Sequence, residues 1–300
     1  MAEKTKDYLI GTNQHASARL NLQHYWATLT CGYLLQPDIP VPGNARIADI
    51  ATGTGIWPIS FSLSLPPTVQ LDGFDITDAQ FPPKEWLPHN VRLKKLDILA
   101  PMPEELRGRY DIVAIRFFSL IVKNNDVDTL LGNLLSLLKP GGYLQWIEPD
   151  ISVSKAITPR PDIKSEASEA LMRDATQFLS DFRIFYEYVP YQFSLVTITD
   201  ASFRSWLHAL PSICKRLGMT NVKQHTPRAI EALRPIFGYG TVGAYEEFSH
   251  SILDKYGSTP SLGSGNDLRK RLDIVRGEME HGVAFEQPLY VLVAQKPVDG

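Results

Sequence analysis

The sequence predicts an α/β fold built on an open, largely parallel sheet, and three observations carry that prediction. The apolar segment 46–50 runs directly into a turn that has glycine at positions 53 and 55. Strand-like segments then alternate with helical ones as far as residue 150, and parallel strands need such crossovers between them. The chain has 300 residues, of which 44% are apolar, so it can bury a large core.

The first predicted element is an amphipathic N-terminal helix over residues 14–35. Thr12 and Asn13 are residue types that cap helices, and apolar side chains recur after them at spacings of three and four. A proline-rich stretch ends the helix and leads into the alternating region. Four strands are expected there, at 46–50, 69–75, 91–96 and 110–116.

A helix is also indicated after Asn125, because Val127 and the leucines that follow it have helical spacing as far as Leu138. A Lys-Pro-Gly-Gly turn closes it, and a fifth strand, 143–148, follows at once. Beyond Pro149 the pattern changes to helices, with starts expected near Asp162, Asp200, Thr226 and Asn266. Two further strand candidates are 218–225 and 288–295.

These elements predict a division of the chain into three parts. An N-terminal helical segment, 1–45, precedes a core, 46–150, which segments near 218–225 and 286–296 complete. An inserted helical cap, 151–215 and 226–284, is expected to lie over the substrate cleft.

Charge and cysteine content limit the classes of function. Lys and Arg number 30 against 33 acids, without a basic run, so nucleic acid is not an expected partner. Two cysteines, Cys31 and Cys214, exclude a disulfide scaffold and a thiolate zinc cluster from this chain, so we expect no metal and a cytoplasmic location. The first ten residues lack the apolar stretch of a signal peptide. No later segment approaches the roughly 20 apolar residues of a membrane span, so we expect no membrane partner.

The glycine turn is a candidate cofactor loop. Glycine at 53 and 55 removes Cβ atoms that would keep a ligand away from the main chain. A nicotinamide fingerprint needs a small third residue, where this chain has Pro58. Asp75 suits a ribose in either cofactor class, because a carboxylate can accept hydrogen bonds from both hydroxyls.

The order of the motifs in the core resembles that of the class I S-adenosylmethionine-dependent methyltransferases. Asp49 precedes the glycine loop, Asp75 ends strand two, and Asp97-Ile98 ends strand three. Strand four is Tyr110–Arg116, and the turn Leu138–Gly142, which contains Lys-Pro-Gly-Gly, precedes strand five. The resemblance covers residues 46–150 and implies a seven-stranded Rossmann-like sheet with an antiparallel last strand. The segments Tyr8–Asn13 and Ala18–Tyr25 also resemble fungal members that act in secondary metabolism or its regulation.

The resemblance implies S-adenosyl-L-methionine as the cofactor and S-adenosyl-L-homocysteine as its product. The loop would lie under the methionine and ribose parts of the cofactor. Asp49, before the loop, would help to hold the ammonium group, and Asp75, at the end of strand two, would accept hydrogen bonds from the ribose hydroxyls. Asp97 and Ile98, at the end of strand three, would bind adenine. The residues that it implies are Asp49, Ala51, Gly53, Gly55, Asp75, Ile76, Asp97, Ile98 and Arg116. The family usually has glycine where Ala51 stands, and we expect the loop to tolerate the added methyl group.

A charge argument points the same way, because a sulfonium is a fixed cation and acids at three strand ends give it a favourable field. The competing interpretation is that these acids cap helices and form turns, which are common duties of Asp.

Residues for catalysis and substrate binding are less sharply indicated. His24 and Glu148 are the candidate bases, with His208 as a third. His24 could instead pack over the sheet or contact the cofactor. Glu148 could be a solvated strand-end acid or a partner of the cofactor loop, and Arg116 could be a structural ion-pair residue. The substrate-binding candidates are aromatic, and they are core residues unless the cap closes over the cleft: Tyr25, Phe117, Phe185, Tyr186 and Trp206.

The sequence therefore predicts an enzyme that transfers a methyl group to an oxygen or nitrogen atom of a small, largely apolar molecule, with oxygen favoured by its frequency in the family. Residues 117–120 lack the Asn- or Asp-Pro-Pro-aromatic sequence of nucleic-acid amino-methyltransferases. The alternative is a protein of the same fold that does not methylate and acts as a cyclisation catalyst or a regulator. A nicotinamide oxidoreductase ranks last. We expect a monomer or homodimer.

Overall fold

The computed structural model describes residues 12–119, 121–122, 127–174, 177 and 203–298. Its strands are β1 (Arg46–Ile50), β2 (Gln70–Asp75), β3 (Val91–Lys95), β4 (Tyr110–Arg116), β5 (Leu138–Pro149), β6 (Lys155–Ile157), β7 (Thr220–His225), β8 (Ala284–Glu286) and β9 (Leu289–Gln295). Seven of them form one sheet in the order β3-β2-β1-β4-β5-β9-β7. Strands β1 to β5 pair in parallel, and β9 is antiparallel to both of its neighbours. The predicted open, mostly parallel sheet with an antiparallel last strand is confirmed.

The helices lie on both faces of this sheet and beyond its carboxyl edge. They are α1 (Gln14–Cys31), α2 (Ile56–Ser62), α3 (Asp128–Leu137), α4 (166–174), α5 (Phe203–Arg216), α6 (Arg234–Phe248), α7 (Asp254–Tyr256) and α8 (Gly265–Glu280). In the ranges that the structure describes, none of them is both long and apolar enough to traverse a lipid bilayer. The helix start expected near Asp200 lies outside the described residues.

The N-terminal helix is shorter than the expected 14–35. The Asn13 side chain accepts a hydrogen bond from Ala16 N at 2.9 Å and so begins the helix. Gly32 adopts a left-handed conformation, with φ of 76°, and its N–H donates to the carbonyl of Thr28. This glycine ends the helix at Cys31, before the prolines are reached.

Three apolar clusters hold the layers together. Helices α3 and α5 pack on the sheet strands β4, β5 and β9, while α2 packs on the β1 and β2 side. The third cluster joins α6 and α8 to Trp26 of α1 and to the two-stranded sheet of β6 and β8, which the sequence did not predict. Residues 203–215 of the predicted cap lie in α5, which contributes Trp206, Leu207 and Leu210 to the core on the sheet.

An ion pair fixes α1 against α6. The guanidinium of Arg19 donates through Nε and Nη2 to the two carboxylate oxygens of Glu247, at 2.9 and 3.0 Å. Both side chains are less than a tenth exposed, and the bidentate geometry defines one orientation. Helix α1 is therefore held between the helical layer and the carboxyl ends of the strands.

Candidate functional site

The candidate site lies where the strand order reverses. Strand β1 lies between β2 and β4: the connection after β1 runs to β2 on one side, and after β3 the chain crosses back to β4 on the other side. Open α/β sheets bind ligands in the crevice at such a switch point. The loop 51–55 follows β1, and the pair Arg116–Phe117 comes at the end of β4. The topology thus brings together two segments that are far apart in sequence.

In the loop after β1, every second residue has a left-handed backbone conformation. Residues Ala51, Gly53 and Gly55 have φ of 56°, 58° and 76°. For an L-residue this conformation costs about 1–2 kcal/mol, so Ala51 bears a strain that the two glycines avoid. A Cβ atom on Gly55 would lie 2.6 Å from Cδ1 of Leu93, a distance at which the neighbour has to move. Both features favour glycine at 55.

Two buried carboxylates stand at the base of this loop. Oδ2 of Asp75 accepts a hydrogen bond from Gly53 N at 2.8 Å, and its Oδ1 has a long contact with Thr77 N at 3.3 Å. Burial raises the pKa of Asp75, and the bond from Gly53 opposes that rise. Oδ2 of Asp49 accepts from the Thr52 hydroxyl at 2.6 Å, and burial raises its pKa to about 6.

The segment after β3 presents a third acid. Asp97 is partly exposed, and its Oδ1 accepts a hydrogen bond from Leu99 N at 3.0 Å. The Ile98 carbonyl accepts from Asn133 Nδ2 at 2.7 Å, and the same nitrogen lies 3.1 Å from the carbonyl of Ala100. Asn133 on α3 therefore shapes this segment. No sequence pattern indicated this contact, because 35 positions separate its two residues.

Ile76, which directly follows β2, is partly exposed.

Arg116 and His24 meet across the site. Nη1 of Arg116 lies 3.3 Å from Nδ1 of His24, and its guanidinium carbon lies 5.8 Å and 5.9 Å from the ring centres of Trp57 and Phe117. Burial, and then the charge of Arg116, lower the pKa of His24 to about 3. Since a guanidinium can only donate, the neutral imidazole accepts at Nδ1 and carries its proton on Nε2.

This arrangement bears on the expectation that His24 is a general base. A base needs a free lone pair and a pKa near the working pH. In His24 the unprotonated nitrogen is turned to Arg116, and burial disfavours the charged form. The geometry favours a hydrogen-bonding role for His24.

Glu148, the other candidate base, is fully buried and surrounded by donors. Oε1 accepts from Phe118 N at 2.6 Å and from Trp146 Nε1 at 2.7 Å. Oε2 accepts from both the backbone N, at 3.2 Å, and the hydroxyl of Ser119. Burial raises the pKa of Glu148 to about 7, against the effect of these donors. Its contacts favour a role in holding the segment after β4.

The aromatic residues expected to bind substrate have different surroundings. Tyr25 is 59% exposed beside His24, and Phe117 is partly exposed, with φ of 56°, next to Trp26. Trp206 of α5 is buried against Trp146 of β5, which favours a core role. The other two candidates, Phe185 and Tyr186, lie outside the described residues.

Helix α1 covers the glycine loop. The heavy atom nearest to a Cβ built on Gly53 is Cδ1 of Leu20, at 3.1 Å. The Thr54 hydroxyl donates to Asn21 Oδ1 at 2.7 Å. One turn earlier along α1, Ser17 Oγ accepts from Gln80 Nε2 at 3.0 Å. The apolar stripe of α1 had indicated a packed helix, but nothing in it showed that the loop is what the helix contacts.

Comparison with known proteins relates the chain to fungal methyltransferases. No family model matches it. The chain is 36% identical over 151 residues to methyltransferase grgD of a Penicillium species, covering 48% of this chain and 52% of the relative. It is 34% identical over 145 residues to N-methyltransferase verN of Clonostachys rogersoniana, covering 48% and 50%. A third relative is the secondary metabolism regulator LAE1 of Hypocrea atroviridis, 23% identical over 175 residues, with 58% and 48% covered. The chain thus spans about half the length of the curated relatives it matches.

Solved structures agree on the fold. A chain in the complex between the Haloferax volcanii Trm112 methyltransferase activator and a proposed methyltransferase superposes with a TM-score of 0.50 at 11% identity, covering 95% of this chain and 96% of that one. The sheet order and the reversed last strand are those of the Rossmann-like methyltransferase fold.

Proposed function

We propose that this chain is an S-adenosylmethionine-dependent methyltransferase that acts on a nitrogen or oxygen atom of a small, largely apolar molecule of fungal secondary metabolism. The observation that carries the proposal is the loop 51–55, which is left-handed at three positions, lies at the switch point of the sheet and donates from Gly53 to Asp75. The methyltransferase names of the relatives support it. The name of verN favours nitrogen as the acceptor, where family frequency alone had favoured oxygen.

The described residues fit this cofactor. Oδ1 of Asp75 has one long contact, so it can accept a hydrogen bond from a ribose hydroxyl. The loop 51–55 follows β1 at the switch point, where such folds bind ligands, and the segment of Asp97 and Ile98 would offer a carboxylate and a backbone N–H to adenine. Asp49 supplies the negative charge for the ammonium of the methionyl part.

The cofactor, when bound, supplies an activated methyl group, and the work left to the chain is alignment of the acceptor with it. Positioning of the reacting groups can contribute much of the rate of such a displacement. Tyr25 and Phe117 provide apolar surface where α1 meets the end of β4. Because Glu148 and the Nδ1 of His24 are engaged by other protein groups, we propose an acceptor such as a neutral amine, which needs no strong base.

We further propose that α6 to α8, within the predicted cap 226–284, enclose the acceptor side of the cleft. Trp26 of α1 contacts Phe237 of α6 with ring centres 4.2 Å apart, and its ring centre lies 6.1 Å from that of Phe117. These three rings connect the helical layer to the end of β4. Of the three only Phe117 is partly exposed, and its ring supports an apolar acceptor, because aromatic side chains favour apolar ligands.

Calorimetry tests the cofactor assignment. The purified chain, cleared of copurified S-adenosylhomocysteine, is titrated with S-adenosylmethionine and separately with NADH. We expect binding of the sulfonium compound alone, and binding of NADH alone would reject the proposal. A panel of fungal amines and phenols is then searched by mass spectrometry for products heavier by one methylene.

The similarity to the regulator LAE1 favours one second candidate, a protein of this fold that acts in regulation. Tight cofactor binding without methylation of any small molecule, combined with methylation or capture of a purified protein partner, would favour this candidate over the first.

A further inference from the structure

Arg116 is a cation in an unusual position. Its Nε is buried without a hydrogen-bond partner, and Nη1 faces the neutral imidazole of His24. The rings of Trp57 and Phe117 flank the guanidinium. Within the described residues it forms no ion pair, although a buried charge is costly unless it is paired and hydrogen-bonded. Because protein encloses Nε and one N–H of Nη1 faces His24, the donors left for a ligand at the carboxyl end of β4 are those of the fork formed by Nη1 and Nη2.

The ligand chemistry that satisfies such a fork is a carboxylate. A guanidinium binds a carboxylate through two parallel N–H donors, and flanking aromatic rings supply neither an acceptor nor a counter-ion. The His24 ring restricts the fork, because its Nδ1 is the acceptor for Nη1 and its own position on α1 is fixed by burial. His24 is then a positioning residue.

A negative charge that complements Arg116 is carried by Asp49 on the neighbouring strand, β1. Asp49 lies near the end of β1, which pairs with β4 in the register Asp49 to Ala114 and Ile50 to Ile115. Asp49 and Arg116 influence each other electrostatically without a direct ion pair between them. One carboxylate and one guanidinium at adjacent strand ends complement the two charges of an amino acid, an ammonium and a carboxylate.

We propose that Arg116, positioned by His24, binds the carboxylate of the cofactor's methionyl group and so makes the site selective for an intact amino-acid end. The inference rests on the proposed function and deepens it, because it names the chemical group that is recognised. It also replaces the general-base role of His24 with a role in cofactor selection.

The test compares S-adenosylmethionine with decarboxylated S-adenosylmethionine, which lacks this carboxylate, by calorimetry on the full chain. A charge-assisted contact predicts that the wild type prefers the intact cofactor by about ten- to a hundredfold. Arg116→Met should lower the affinity for the intact cofactor to that for the decarboxylated one. Arg116→Lys, which keeps the charge without the fork, should restore part of the preference.

Two controls keep the result interpretable. Arg92→Met removes a positive charge from an exposed position on β3 and should keep the full preference. Thermal unfolding shows whether the Arg116 variants are folded, and we expect no loss of stability with Met, because it removes an unpaired buried charge.

The outcomes separate the two proposals. If the wild type binds both compounds equally well, the inference is wrong while the cofactor assignment stands. If Arg116→Met retains the preference, the carboxylate lies elsewhere, as it would if Arg116 served a carboxylate of the acceptor, and the inference is again wrong. If neither compound binds to the folded wild type, the proposed function itself fails.

Discussion

Replacement of Glu148 distinguishes a structural acid from a catalytic one. In Glu148→Ala, the donors Phe118 N, Ser119 N and Trp146 Nε1 lose a buried acceptor, while the Ser119 hydroxyl can rotate to another partner. An unsatisfied buried donor costs about 1–3 kcal/mol, so three of them predict a loss of roughly 3–9 kcal/mol in the free energy of unfolding. Such a loss would be a large fraction of the stability of an ordinary domain.

Glu148→Gln is the matched variant. The amide oxygen can still accept from Phe118 N and Trp146 Nε1, and the amide nitrogen can donate to the Ser119 hydroxyl. Only the bond from Ser119 N is lost, so we expect a destabilisation of about 1–2 kcal/mol.

Guanidinium chloride unfolding, followed by tryptophan fluorescence, measures both differences. Once an acceptor is known, Glu148→Gln should keep most of its turnover, whereas removal of a general base typically costs about 10²–10⁴-fold. The reasoning would be refuted by an alanine variant that is as stable as the wild type, and also by a glutamine variant that is stable but inactive.

Three further predictions concern the loop, the ribose acid and pH. Gly55→Ala should destabilise the protein by about 2 kcal/mol or more in urea unfolding, because residue 55 has a left-handed φ and its Cβ would contact Leu93. Gly132→Ala is the control: Gly132 faces open space on α3, and alanine there should stabilise the protein by about 0.5–1 kcal/mol. Equal effects of the two substitutions would contradict the prediction. Asp75→Ala should weaken S-adenosylmethionine binding in calorimetry by about tenfold or more, and an unchanged affinity would remove the ribose assignment. Burial raises the pKa of Glu148 from 4.5 to about 7, so between these pH values the folded protein keeps a proton that the unfolded chain loses. The free energy of unfolding should therefore fall as the pH rises through this window. Glu148→Gln should flatten this slope in unfolding experiments from pH 4 to 8, and an unchanged slope would assign it to another group.

Four of the five strands within 46–150 could be predicted to within one residue, because a polar or glycine turn closes each of them, whereas β5 begins at Leu138 and not at the predicted 143. Strands β1 and β4 have the expected bounds, and β2 and β3 differ by one residue at one end. Strands β6 and β8 were missed, since three residues are too few to show a pattern of alternation. The helix expected from Thr226 begins at Arg234, after a short 3-10 turn at Glu231–Leu233 that the cap rules do not distinguish from a helix.

Within the candidate site, the acids were predictable because they follow strands directly, and topology brings strand ends together. The partnership of Arg116 with His24 was not predictable, because 92 positions separate the two residues and their contact depends on how α1 crosses the sheet. The same applies to Glu148, whose partners lie 29 and 30 positions earlier. A sequence shows which side chains have catalytic groups, whereas the hydrogen-bond donors that the fold places around them decide whether those groups can act as bases.

The place of β9 has a consequence for biosynthesis. This strand lies between β5 and β7, yet it follows both of them in the chain, after α6 to α8. As the protein leaves the ribosome, β5 therefore has an open edge, and in the described sheet β7 has no neighbour to pair with until residues 289–295 emerge. Contacts of such long sequence separation form slowly and leave an unpaired strand edge exposed to other chains. A nascent chain arrested before β9 should therefore need a chaperone at the edge of β5, and release of the last strand should end that need.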